Sequence, residues 1–202
     1  MSIEQDTFPN TRNQPSFPSC ELIRRSLEGA VREALTKDWD LVALGCHEQA
    51  ISHRIAVYLE HRLPGFNIDC EYNRREYQRK SFTNDLGEVR NMRPDIIAHQ
   101  RLSPVNLLAV EIKAHSNPDS PNDSTKLKAL ACRSEYQYKV AAFVRILNAT
   151  QDLCNGVLCA EILWYARDQR GVVTEENNIT PIKVDDRTDE VLQIYKTRKN
   201  QS

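Results

Sequence analysis

Residues 93–115 read RPDIIAHQRLSPVNLLAVEIKAH: two strongly apolar runs around a short polar break, with Asp95, Glu111 and Lys113 set inside the runs. A charge within a buried strand costs several kcal/mol unless a partner neutralises it. Side chains alternate faces along a strand, so Leu107, Ala109, Glu111 and Lys113 fall on one face and Leu108, Val110, Ile112 and Ala114 on the other. In the first run Asp95, Ile97 and His99 share a face opposite Ile96 and Ala98. A connection turning near Ser103 sets Asp95 across from Glu111 and Ile97 across from Ala109, with opposed residues about 5 Å apart on one face.

Two carboxylates that close repel, and one takes up a proton unless a cation intervenes. An all-oxygen pair without His or Cys suits a hard ion such as Mg2+, with Mn2+ as a substitute. A water on such an ion is easier to deprotonate and becomes a nucleophile. Lys113, one pleat beyond Glu111, is a poor ligand but suits orienting that water or steadying charge on a phosphate. Pro94 has no N–H to offer and belongs at a strand's first residue or edge. The competing arrangement is a plain Asp95–Lys113 salt bridge with Glu111 facing solvent.

The flanking sequence predicts a mixed α/β sheet with helices packed against it. Apolar spacing gives one helix over SCELIRRSLEGAVREALTK, capped by Ser19, and a second from about Cys46 to Arg62, ended by Pro64-Gly65. NIDCEYNR (67–74) reads as a first strand and SFTNDLGEVRN as turn-rich linker. The opening stretch supplies two more strands. SNPDSPNDS reads as a loop, with Asp123 or Ser124 capping a short helix over TKLKALAC. YKVAAFVRIL (138–147) fits a strand or a helix, and VLCAEILWYA (157–166) a strand.

Together, RPDII, the fifteen residues between Asp95 and Glu111, and EIK resemble the PD-(D/E)XK nuclease superfamily over about residues 45–147. The resemblance implies a restriction-endonuclease-like core, a mixed central β-sheet flanked by helices in the order α-β-β-β-α-β. It implies Asp95 and Glu111 as metal ligands, Lys113 as the catalytic lysine, and Mg2+-dependent hydrolysis of phosphodiesters; DNA is the expected nucleic acid, with RNA the open alternative. The Q-x-x-x-Y signature of one branch is absent, since Gln137 is followed four residues later by Ala141. The alternative is a catalytically inactive nucleic-acid-binding or assembly protein on the same scaffold.

Glu48 continues the stripe of Ile51, Ile55 and Leu59, where many members of that family carry an acid completing the metal site; otherwise it is a first-turn acid favoured by the helix dipole. Glu71 either faces the same cleft or lies on a solvated strand edge. Arg74, Arg75, Arg79 and Lys80 form a basic run beside Tyr72 and Tyr77, suited to a phosphate backbone or to a solvated loop. Lys126 and Lys128 open the helix after the third strand and suit phosphate binding there.

The balance of 27 basic against 28 acidic residues rules out a general polyanion binder, so a nucleic-acid surface must be a local patch. No apolar run is long enough to span a membrane, and the N-terminus has no secretory plan. The six cysteines, without a C-x-x-C pair, read as reduced, mostly buried thiols of a cytoplasmic protein rather than zinc ligands. The expected organisation is a flexible lead-in (1–19), one nuclease-like domain (20–170) and a polar tail (171–202) with a short helix near DEVLQIYK. A domain this small leaves target selection to a homodimer or a protein partner.

Overall fold

The structure is a computed structural model that describes residues 17–75, 78–83, 87–114, 121–132, 136–147, 158–167, 173–175 and 179–184. Its elements in chain order are α1 (Cys20–Lys37), α2 (Trp39–Ala43), α3 (Glu48–Glu60), β1 (Asn67–Cys70), β2 (Arg74–Arg75), β3 (Gln78–Arg79), β4 (Ser81–Thr83), β5 (Val89–Asn91), β6 (Ile96–His99), β7 (Asn106–Ala114), α4 (Pro121–Cys132), β8 (Val140–Leu147), β9 (Leu158–Arg167), β10 (Val173–Glu175) and β11 (Thr180–Val184).

A mixed, mostly antiparallel sheet runs β1-β6-β7-β8-β9-β10, with β11 also on β9. Among the described strands only β7 and β8 pair in parallel, and a parallel pair needs a crossover, here α4. Because β8 pairs one edge of β9 along its length, β10 and β11 share the other edge end to end.

Helices cover both faces. Ile23, Leu27, Val31 and Leu35 of α1 and Ile51, Ile55 and Leu59 of α3 are buried against Ile96, Val110, Ile112, Val140 and Val144. Leu127, Leu130 and Ala131 of α4 pack on Ile97, Ala109, Ala141, Phe143 and Tyr165 on the opposite face. Burying each large aliphatic side chain contributes about 1.5–3 kcal/mol. Ser19 caps α1 by accepting the Leu22 N–H at 3.1 Å, as its sequence predicts. Gly65, at φ +87, makes the turn after α3 that a side chain would strain.

Several expectations need correction. β1 stops at Cys70 because Glu71 takes a left-handed backbone (φ 51) and turns its N–H to the Asp95 carbonyl at 3.0 Å. SFTNDLGEVRN holds the β4–β5 hairpin rather than only a linker. Helix α4 begins at Pro121, ahead of Asp123 and Ser124. The domain does not end at residue 170: β11 adds Ile182 and Val184 to the core. The helix expected near DEVLQIYK lies outside the described residues. Among the described cysteines, Cys20 and Cys70 are exposed and Cys46 is half-buried, not sealed in a core, while the buried Cys159 is disulfide-bonded rather than reduced. Cysteine spacing without a paired motif carries no pairing information. Among the described residues, no helix is long and apolar enough to cross a membrane.

Candidate active site

Ile96 pairs with Val110 and Ile97 with Ala109, the register that sets Asp95 across from Glu111. Ile97 and Ala109 both face α4, and the alternation carries Asp95 and Glu111 to that side. A bulge between Ala98 and His99 breaks the alternation at the other end of the hairpin. There Leu107, expected on the Glu111 face, joins Leu108 in the α1–α3 core instead.

Glu111 is 1% exposed, so the arrangement with this acid in solvent is excluded. Its Oε2 lies 2.5 Å from Lys126 Nζ. Asp95 Oδ2 accepts the Ile112 N–H at 2.6 Å. Burial pushes the Asp95 carboxyl above its ordinary range. The Ile112 N–H and the charges of Lys126 and Lys113 pull it down, while Glu48 adds to the rise. Lys113 is a neighbour of this group and not a simple partner to Asp95: its Nζ stands 3.5 Å from Glu48 Oε2.

Glu48 reaches the site from the opposite layer. The stripe of Ile51, Ile55 and Leu59 is buried, and one turn earlier it passes the end of β7, where Glu48 Oε1 accepts the Ala114 N–H at 2.9 Å. The structure therefore gathers Asp95, Glu111, Lys113, Glu48 and Lys126 at one end of the β6–β7 hairpin. Lys126 enters because it lies four residues before the buried Leu130, on the stripe α4 turns to the sheet. Its sequence position marked it for phosphate contact and gave no sign of Glu111.

Beside Asp95 lies a cavity of about 310 Å3 lined by Gln49, Ser52, Cys70 and Glu71. Glu71 thus faces the cleft; it accepts Gln49 Nε2–H at 2.8 Å and lies 3.5 Å from Arg93. No periodicity singles out Gln49, Ser52 or Cys70, because they meet only through the packing of α3 on β1.

The proposed nucleic-acid residues divide. Arg74 is exposed on β2; Arg75 is its neighbour, with a side chain outside the described residues. Lys128 is exposed on α4. Lys80 does not belong to a surface patch: it is 2% exposed, and its Nζ donates to the Tyr138 hydroxyl at 2.6 Å, over the rings of Tyr72 and Tyr138. Burial lowers its pKa to about 8. Its backbone bridges the Asn73 carbonyl and the Met92 N–H, which turns the side chain inward. His99 lies apart from the acids, with Nε2 2.8 Å from Asp69, and His47 caps α3.

Asp95, Glu111 and Glu48 are carboxylates, the ligand type that a hard cation takes. Among the described residues, no three His, Cys, Asp or Glu side chains stand together as a ready-made ligand group. In this arrangement Lys113 and Lys126 carry the neutralising charge. No protein-family model matches the chain, and comparison with characterised proteins and with solved structures returns no match.

Proposed function

We propose that this chain is a divalent-metal-dependent nuclease of the PD-(D/E)XK type, acting on phosphodiesters in DNA in preference to RNA. The observation that carries this reading is the gathering of Asp95, Glu111 and Glu48 with Lys113 at one end of the hairpin, beside a cavity. The order α3-β1-β6-β7-α4-β8, with β7 and β8 parallel and the earlier pairs antiparallel, supports a restriction-endonuclease-like core.

Asp95 and Glu111, joined by Glu48, would hold Mg2+ or Mn2+. Such an ion supplies Lewis acidity toward a phosphate oxygen and lowers the pKa of a coordinated water. Lys113 sets a positive charge close by, suited to charge developing on the phosphate. Its contact with Glu48 orients it, and the Ile112 and Ala114 N–H groups hold the carboxylates of Asp95 and Glu48 in place. Arg74 and Lys128 offer exposed charge to a nucleic-acid backbone.

Labelled duplex DNA, single-stranded DNA and RNA incubated with Mg2+, Mn2+ or EDTA test the reading. Cleavage that needs the metal and disappears in Glu111→Ala supports it. One observation favours a second reading, a nucleic-acid-binding or assembly protein without catalysis: Glu111 already has a cationic partner in Lys126. Binding without cleavage under every metal condition would select that reading.

A further inference from the structure

Glu111 sits in the middle of a strand with its carboxylate sealed from water, and Lys126 meets it from the neighbouring layer at 2.5 Å. A charge so buried requires a cation close by, and breaking such a pair leaves the survivor exposed to the full desolvation cost. The lysine side chain is itself only 16% exposed. A divalent ion bound to Glu111 would meet the same oxygens and the same ammonium, and two cations at that range repel.

We propose that Lys126 is a built-in counter-ion that exchanges with the metal: it neutralises Glu111 in the metal-free protein, and metal binding displaces its ammonium from the carboxylate. The inference rests on the metal-dependent reading of the site and gives Lys126 a role beyond phosphate contact. Metal binding then competes with an internal ion pair. A pair closed about 90% of the time weakens the apparent metal affinity about tenfold, by reducing the competent population. Displacement also turns Lys126 outward, so ion loading and presentation of this positive charge to substrate become one event.

Two measurements on the full chain test the exchange. Calorimetric titration with Mn2+ compares the wild type, Lys126→Gln and Glu111→Ala. Acetylation by an amine-reactive ester, read by mass spectrometry, follows Lys126 in the wild type with and without saturating Mg2+. Expected are about tenfold tighter Mn2+ binding by Lys126→Gln, loss of binding by Glu111→Ala, and severalfold faster labelling of Lys126 with Mg2+, the exposed Lys128 serving as reference. Wild-type binding that needs Glu111, with affinity unchanged in Lys126→Gln or labelling unchanged by Mg2+, overturns the exchange and leaves the metal site standing. No Mn2+ binding by wild type or variant overturns both. Should Lys126→Gln fail to fold, labelling of the wild type decides alone.

Discussion

The backbone N–H of Ile112 donates to Asp95 Oδ2 at 2.6 Å, tying the carboxylate at the entrance of β6 to the strand that carries Glu111 and Lys113. This bond favours ionised Asp95, yet burial outweighs it and raises the pKa above the ordinary 3.8. A carboxylate whose folded pKa is raised costs stability above that pKa, and the cost vanishes as pH falls below the unfolded value. Asp95→Asn, which keeps an acceptor for Ile112, should therefore make the metal-free protein more resistant to urea at pH 7. The gain should fade below about pH 4. A variant less stable than wild type at pH 7 would show that the ionised group is a net stabiliser.

Lys113 lies at the end of β7 with its ammonium near Glu48 and a fifth of its side chain exposed, so its removal leaves the core intact. Lys113→Ala should lower Mg2+-dependent cleavage by about 100-fold or more, the scale seen when a transition-state charge partner is lost. Its far-UV circular dichroism should match the wild type. Undiminished cleavage by a folded variant would reject the catalytic assignment.

Lys80 carries a different signature. Its pKa is lowered to about 8 from 10.5, so burial of the charged form costs stability below pH 8. That cost is relieved as pH rises toward the unfolded value. The stability difference between Lys80→Met and the wild type should shift against the variant by roughly 2 kcal/mol between pH 7 and pH 10. Urea midpoints at the two pH values measure it; a constant difference would mean that Lys80 keeps its ordinary pKa.

Ile182 on β11 is 1% exposed in the core formed with α1 and α3. Ile182→Ala should cost about 2–5 kcal/mol. A chain ended after residue 170 should be destabilised further, since it also loses Val184 and the outer neighbours of β9. Thermal melting checks both, and a melt unchanged by Ile182→Ala would show that β11 does not contribute to the fold.

Period-two patterning in the stretch from Pro94 to Ala114 was enough to set the register of β6 on β7, because a one-residue slip would have turned Ile96 and Val110 away from the core. Helical spacing was likewise enough to place α1, α3 and the face that carries Glu48. The strand–helix ambiguity of β8 has a physical cause. Lying between β7 and β9 with helices on both faces, it is buried nearly throughout and shows no alternation. The β-strands beyond residue 170 were hidden for a different reason, being short segments that share one edge of β9.

The amino-acid order thus determined which acids share a strand pair, since neighbouring positions on a pleat are a local property. Only the tertiary structure decided which cations they meet. Lys126 joins Glu111, Glu48 crosses from the other layer to Ala114, and Lys80 withdraws beneath Tyr138, each through packing between elements distant in the chain. Charge pairing acts through space over a few ångströms, and no spacing along a sequence encodes that distance.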